Sequence, residues 1–290
     1  MHPVLTELDW FGGHVPIEAY TTGMVVAFVI FLVGGWSIAR RRGLPAGKVF
    51  VCLAAILTSS LVGARLLHAA CRLHLYRENP ELIWGLDLGR FAFQGAVLAA
   101  IPTGWIGCRL LGIDVFRLAD ALAPGLALGI ASMRIGCFLA GCCFGNETDL
   151  PWGVTFPTGS PAHLHQTVNS PGRLFQPPAA VHPTQLYESL AALVAAGLAV
   201  RLGRDQFPSG TAFLVSAIWV AAFQGINSFL RAPADLSSPI EIAYPLFSVG
   251  FLVAGATVLL WRTHRVSSTL EGRCPEPGRS EAHSRTIARA

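Results

Sequence analysis

Long apolar stretches, each close to the length of a membrane-crossing helix, are the feature of this sequence that most restricts its fold. A helix needs about 20 mainly apolar residues to cross the hydrocarbon core of a bilayer. Only 13% of the residues are charged, against about a quarter in soluble domains. The sequence therefore predicts an all-α, polytopic membrane protein with seven transmembrane helices. The predicted spans are Ala19–Ala39, Phe50–Ala70, Phe91–Leu111, Leu118–Ala140, Thr184–Val200, Thr211–Leu230 and Ile240–Trp261.

The placement of arginine predicts the orientation of these spans. Cytoplasmic loops of membrane proteins are enriched in arginine and lysine, and basic residues follow the first, third, fifth and seventh spans. The N-terminus is therefore expected outside and the C-terminus in the cytoplasm. No removable signal peptide is expected, because no basic region precedes a short apolar run at the N-terminus. The basic residues are Arg40, Arg41, Arg42, Lys48, Arg109, Arg117, Arg201, Arg204, Arg262 and Arg265.

The sequence predicts one membrane domain, a head within that domain and a C-terminal tail. Residues 1–265 are predicted to form one integral membrane domain, and its longest connection, about 141–183, is predicted to be a periplasmic head between spans four and five. Long structured loops often carry function. Residues 266–290 are polar and rich in small residues, which is typical of a disordered tail.

Polar side chains from several spans share one depth in the outer third of the predicted bilayer. At about 1.5 Å per residue, Arg134, Arg65 and Gln224 lie about 24, 22 and 20 Å from the inner ends of their spans. Ionisable groups are costly in a bilayer and usually face a cavity, a partner or a ligand. The residues at this depth are Tyr20, Arg65, Gln94, Arg134, Glu188 and Gln224.

Arg134 has three possible roles at this depth. It could extend to the lipid head groups, as long basic side chains do, or pair with Glu188. It could also bind a phosphate, because the planar guanidinium holds two oxygens at once. Gly129, Gly136 and Gly141 leave its helix thin enough for another backbone or a lipid head group to approach.

Two motifs resemble those of a known family. The stretch "MRIGCFLAGCCFGNETDLPWGVTFP" from Met133 and the heptad "HPTQLYE" from His182 resemble the prolipoprotein diacylglyceryl transferases of bacterial inner membranes. The resemblance extends from about Tyr20 to Trp261. It implies a seven-span transferase that moves the diacylglyceryl group of phosphatidylglycerol to the thiol of a lipobox cysteine in prolipoproteins, without a cofactor and with no role for nucleic acid.

The resemblance also implies roles for particular residues. Arg134 matches the arginine that holds the lipid phosphate, and Arg65 is a candidate for a second phosphate contact. From their position alone, His182 and His68 are candidates for the base that takes the proton of the acceptor thiol; alternatively, His68 is an interfacial residue and His182 caps the fifth span. The implied catalytic residues are Gln94, His182, Tyr187 and Glu188, and the implied substrate-binding residues are Tyr20, Arg65, Arg134, Gly145, Gln185 and Gln224.

Five positions differ from the family signature. Cys137 stands where the signature has asparagine, and Cys142 where it has glutamate. Gln94 replaces a histidine of the third span, while Gln224 and Ser228 replace an arginine and a glutamate of the sixth. An alternative function is therefore a membrane thiol-redox or lipid-binding paralogue that has lost the transferase reaction.

The cluster of Cys137, Cys142 and Cys143 allows three interpretations. The thiols could be small packing residues, they could form a disulfide in an oxidising compartment, or they could hold a metal together with His163 and His165. The spacing matches no standard zinc pattern, and no metal site is predicted. The other cysteines are interpreted as ordinary span residues (Cys52, Cys71 and Cys108) and a thiol of the tail (Cys274).

Overall fold

The computed structural model describes residues 4–10, 13–83, 91–169, 176–204, 206–232 and 239–271. Two short strands precede a series of helices. The strands are β1 (Val4–Trp10) and β2 (Gly13–Glu18), and the helices are α1 (Ala19–Arg41), α2 (Ala46–Cys71), α3 (Leu73–Glu78), α4 (Phe93–Leu111), α5 (Val115–Ala140), α6 (Pro161–Asn169), α7 (Thr184–Leu202), α8 (Thr211–Ser228) and α9 (Pro239–Glu271). A 3-10 turn at Pro80–Ile83 follows α3.

Six helices in the described part of the chain are long and apolar enough to cross a membrane: α1, α2, α5, α7, α8 and the Pro245–Arg262 part of α9. They coincide with six of the seven predicted spans. The third predicted span corresponds to α4, which has 19 residues and carries Gln94, Pro102 and Arg109. These polar and helix-breaking residues lower its hydropathy, and α4 is not among the six.

An N-terminal β-hairpin adds two strands to the predicted all-α class. Strands β1 and β2 pair in antiparallel register, with Val4 opposite Glu18 and Trp10 opposite Gly13. Residues Glu7 to Trp10 alternate polar and apolar side chains, and Gly12-Gly13 follows them. Alternation followed by a glycine pair is typical of a hairpin, so the sequence contains a short signal for these strands.

Glycines allow α1 to lie directly against α5. A side chain at Gly23 would bring its Cβ within 2.9 Å of the Gly136 Cα, and one at Gly129 would come within 3.0 Å of the Ala27 carbonyl oxygen. Small residues permit such close contact between membrane helices. The glycines of α5 therefore admit another backbone, which is one of the two possibilities raised by the sequence. On another face, α5 packs against α7.

A second close pair is formed by α2 and α4. A Cβ at Gly63 would lie 2.5 Å from the Gly95 carbonyl oxygen, and the Ala92 N–H donates to the Ala64 carbonyl at 3.0 Å. The backbones of the two helices are therefore in contact near the start of α4. The contacts of α4 are chiefly with α2, while α8 packs on α7 and α9.

The end of α5 opposite Arg134 carries a buried carboxylate. Asp120 accepts hydrogen bonds from the Gly210 N–H at 2.6 Å and the Phe213 N–H at 2.8 Å. These N–H groups belong to the start of α8, where a helix lacks internal acceptors. Asp120 thus caps α8 from a neighbouring helix and fixes the two helices relative to each other.

The connection between α5 and α7 folds over the end of α5. Phe156, Ala162 and Val181 form its small apolar core, and Val181 pairs as an isolated bridge with Glu147 and Val154. The segment that follows α8 also reaches this region, because Gly145 pairs with Arg231. The last helix, α9, continues to Glu271, and residues 272–290, which include Cys274 and most of the predicted tail, lie outside the described residues.

Candidate active site

A buried ion pair joins α5 to α7. The Arg134 Nε contacts the Glu188 carboxylate, and the two side chains are only 9% and 5% exposed. The Asn227 side chain of α8 donates to the other Glu188 oxygen at 2.8 Å. Buried charges are tolerated when they are paired and hydrogen-bonded. Three helices therefore meet at one charged centre, and Arg134 pairs with Glu188 rather than extending to the surface.

Asn227 was not predicted as a site residue. It is 1% exposed and lies three positions after Gln224, on the same side of α8. A buried amide within an apolar helix would have been a usable signal. Gln224 lines a small cavity together with Glu188, so Asn227 contacts the ion pair and Gln224 lies near its glutamate.

The three cysteines come together where α5 ends. Gly141 adopts a left-handed conformation, with φ of 73°, directly after the helix, and Cys143 does the same with φ of 59°. Two left-handed residues so close together turn the chain back over the last turn of α5. The sulfur atoms of Cys137, Cys142 and Cys143 consequently lie within 4.8 Å of one another, and all three are free thiols.

The start of α7 holds this turn in place. The Thr184 hydroxyl donates to the Cys143 carbonyl at 2.7 Å, and the Gln185 amide donates to the Cys142 carbonyl at 2.6 Å. Both donors are nearly fully buried, at 1% exposure each. The "HPTQLYE" heptad therefore has two tasks: its first half positions the cysteine turn, and Glu188 at its end pairs with Arg134.

Charge and hydrogen bonding act on the cysteine turn. Hydrogen bonds from the thiols of Cys137 and Cys142 lower the pKa of Cys143, and the positive charges of Arg231 and Arg134 act in the same direction. The thiol of Cys143 therefore loses its proton most easily among the three. Tyr20 also belongs to this region, because its hydroxyl interacts electrostatically with Arg134 and all three cysteines.

His182 lies at the rim of the site. Its ring nitrogen Nδ1 is 3.4 Å from the Tyr187 hydroxyl, which in turn accepts a hydrogen bond from the Trp152 indole at 2.8 Å. The His182 backbone pairs with Gly145 and Asn146. A Cβ on Gly145 would lie 2.6 Å from the His182 Cβ, so glycine at this position is required by packing.

Arg65 and Gln94 lie on the second helix pair, α2 and α4. Arg65 is 6% exposed and Gln94 is 7% exposed, and the Arg65 guanidinium lies 4.7 Å from the centre of the Phe91 ring. Protein therefore covers Arg65, which lies over an aromatic ring in a cation–π contact. The predicted site residues are thus divided between the α5–α7–α8 centre and the α2–α4 pair.

The other three histidines considered from the sequence, His68, His163 and His165, make local contacts. His68 is 2.9 Å from the Tyr76 hydroxyl. His163 accepts a hydrogen bond from the Gly159 N–H at 3.2 Å, and His165 makes an edge contact with the Phe144 ring. Within the described residues, the group that could hold a metal consists of the three cysteines without a histidine.

The fold and this site define a class: a multi-pass helical membrane protein with a buried ion pair and a thiol cluster at one end of its helices. Comparison with known proteins specifies the family. The family model named "Prolipoprotein diacylglyceryl transferase" matches residues 8–261. The chain belongs to the prolipoprotein diacylglyceryl transferase family.

Relatives from distant bacteria match most of the chain. A phosphatidylglycerol–prolipoprotein diacylglyceryl transferase of Clostridium tetani is 29% identical over 80% of this chain and 86% of its own length. The protein of that name from Geobacter sulfurreducens is 26% identical over 86% of this chain and 90% of its own length. The one from Paenarthrobacter aurescens is 29% identical over 92% of this chain and 85% of its own length.

Proposed function

We propose that this protein transfers the diacylglyceryl group of phosphatidylglycerol to the thiol of a lipobox cysteine in prolipoproteins. The observation that carries the proposal is the buried Arg134–Glu188 ion pair next to the cysteine turn. Membership of the transferase family supports it. The protein acts as a seven-span enzyme of the bacterial inner membrane, in which α4 is the third span in addition to the six long apolar helices. The N-terminus is outside, the C-terminus is in the cytoplasm and residues 141–183 form a periplasmic head.

The reaction has a simple balance of bonds. The acceptor thiol loses its proton, since the thiolate is the nucleophile. The sulfur attacks the terminal glyceryl carbon that carries the phosphate, a carbon–sulfur bond forms, and the carbon–oxygen bond to the phosphate breaks. The electron pair leaves with glycerol phosphate. The enzyme must therefore neutralise a phosphate, accept a proton and align sulfur with carbon.

Arg134 is suited to the phosphate. A guanidinium has five N–H donors in a fixed plane, and in this structure Glu188 engages the one on Nε. The ion pair with Glu188 fixes the orientation of that plane, and Asn227 fixes Glu188 in turn. A phosphate that reaches the guanidinium therefore meets a donor set that is already positioned, which is how preorganised charge stabilises a transition state.

The other residues have supporting roles in this proposal. His182 takes up the proton at the rim, with Tyr187 orienting its ring. Tyr20, Gly145, Gln185 and Gln224 shape the lipid-binding side of the site, and Arg65 and Gln94 act from the α2–α4 pair.

Substitution of Arg134 tests the function. Lysine keeps the charge and can keep the pair with Glu188 but loses the planar fork, so Arg134→Lys should lose most of the activity and Arg134→Ala nearly all. The expected cost is about 2–4 kcal/mol, by analogy with the loss of one preorganised transition-state donor. That is a fall of roughly 30- to 900-fold in kcat.

The assay follows labelled diacylglycerol from phosphatidylglycerol to a lipobox peptide in nanodiscs. Arg77→Lys is the matched control, because Arg77 is an exposed arginine of α3, and thermal melting checks folding. Equal activity of the parent and a folded Arg134→Lys would show that the guanidinium does not serve the phosphate. A parent that transfers nothing, beside an active relative, would refute the function.

The thiol cluster favours one alternative, a membrane thiol-redox protein. Three free thiols within 4.8 Å could cycle between a dithiol and a disulfide. In such a protein, oxidation of two thiols to one disulfide would lower the mass by about 2 Da. The protein would transfer no lipid.

A further inference from the structure

Three sulfur atoms at the end of α5 have the arrangement of an incomplete metal site. The sulfurs of Cys137, Cys142 and Cys143 lie within 4.8 Å of one another. Around a tetrahedral zinc ion with Zn–S bonds of about 2.3 Å, sulfur atoms lie about 3.8 Å apart. Small side-chain rotations therefore suffice to bring all three onto one ion. Soft thiolate ligands select zinc or monovalent copper among biological metals.

The backbone that creates the cluster is unusual for a packing role. Cys143 has φ of 59°, a left-handed conformation that is unfavourable for a residue with a side chain. Strained backbone of this kind persists when the surroundings hold it and is concentrated at functional sites. Here Thr184 and Gln185 hold the carbonyls of both neighbouring cysteines. A residue that only fills space would need neither the strained conformation nor the two clamps.

Exposure and charge also suit a metal with an open position. Cys137 is buried at 2% exposure, whereas Cys142 and Cys143 are partly exposed residues. Three thiolates and Zn²⁺ together carry one negative charge, and Arg231 lies close enough to Cys143 to interact with that charge.

We propose that Cys137, Cys142 and Cys143 bind one zinc ion whose fourth position receives the thiol of the acceptor cysteine. This inference rests on the proposed transferase function and gives its site a metal that the spacing of the cysteines did not predict. Catalytic zinc sites have three protein ligands and a fourth position for water or substrate. The zinc makes the acceptor thiol acidic and holds the sulfur one helical turn from Arg134, which binds the phosphate.

The chemical step balances without an oxidant. The acceptor thiol displaces a water from zinc and loses its proton, because a coordinated thiol is deprotonated outright. The proton passes to water or His182. The zinc-bound thiolate then attacks the glyceryl carbon, the carbon–oxygen bond breaks, and the phosphate leaves with the electron pair. The thioether product is a neutral, weaker ligand, so it leaves and water returns. The Gln94 amide has no basic group that could take the proton of the acceptor thiol. Coordination to zinc makes that thiol acidic instead.

The first experiment measures the metal directly. The full chain is purified in detergent with a tag that binds no metal, and its metal content is determined by mass spectrometry. We expect about one zinc per chain in the parent and in Cys71→Ser, a matched control whose thiol is on the last residue of α2 and is not part of the cluster. Cys137→Ser, Cys142→Ser and Cys143→Ser should each lose most of the zinc. If a variant does not fold, the parent stripped with a chelator takes its place.

Cobalt gives a second measurement that does not depend on activity. Cobalt(II) in the site should show the absorption of a tetrahedral thiolate complex, and addition of a lipobox peptide should change that spectrum. The same peptide with serine in place of cysteine should leave it unchanged. Removal of zinc should lower the transfer rate by at least ~100-fold, the usual range for loss of a group that handles the proton, and zinc should restore it.

The outcomes separate this inference from the proposed function. Full transfer activity in a parent without zinc, or in all three serine variants, would overturn the metal site and leave the transferase function standing. Copper in place of zinc, or a disulfide between two of the cysteines, would overturn it as well. A parent that holds zinc and binds the peptide thiol but transfers no lipid would refute the proposed function and leave the zinc site supported.

Discussion

Removal of one partner of the Arg134–Glu188 pair should destabilise the protein far more than removal of both. Glu188→Gln keeps the size of the side chain and its hydrogen bond from Asn227 but leaves the guanidinium without its counter-charge. Arg134→Met leaves the Glu188 carboxylate without its counter-charge. The double variant has no charge at this centre.

The magnitude follows from burial. The two side chains are 9% and 5% exposed, and breaking a buried pair by removing one partner costs about 3–5 kcal/mol. Because glutamine retains the Asn227 contact, we expect about 3 kcal/mol for Glu188→Gln, at the lower end of that range. For a chain of this size that corresponds to a fall in Tm of about 6–12 °C. The double variant should cost less than the sum of the single variants by up to about 3 kcal/mol.

Thermal melting of the four proteins in nanodiscs completes the cycle. Glu78→Gln is the matched control, since Glu78 is an exposed glutamate at the end of α3, and its Tm should stay close to that of the parent. Costs of the single variants that add within about 0.5 kcal/mol, or a Glu188→Gln that melts like Glu78→Gln, would refute the interpretation that the two charges stabilise each other.

Two further predictions concern packing and orientation. Gly23→Ala should cost about 1–3 kcal/mol by overpacking, because its Cβ would lie 2.9 Å from the Gly136 backbone. The control Gly197→Ala meets nothing within 4 Å and should be neutral or stabilising. Equal Tm values for both variants would contradict the close contact of α1 and α5. A reporter that is active only outside the cytoplasm should be active when fused after His165 and inactive after Gly203, and the reverse pattern would place the proposed site at the wrong leaflet.

The family features of the site could be predicted from the sequence because they lie in two short motifs. Arg134 and Glu188 were identified by depth along a helix of about 1.5 Å per residue, and Gln185 by the resemblance of its heptad to the family; the structure brings these three to one region. Asn227 was missed because its importance comes from contact with Glu188, a residue 39 positions away. The amide within an apolar helix was a usable signal, but no periodicity within one helix reports which residue it contacts.

The sequence by itself determined the helical membrane architecture, because the cost of exposing backbone to lipid permits few alternatives for long apolar segments. It also placed the polar groups at one depth. Only the tertiary structure decided what those groups contact. It paired Arg134 with Glu188 and brought three thiols together through two left-handed residues. Arg65 and Gln94 lie on a different helix pair, α2 and α4. Those outcomes depend on the direction in which each helix faces and on backbone torsion angles after Ala140, and neither is encoded in hydropathy.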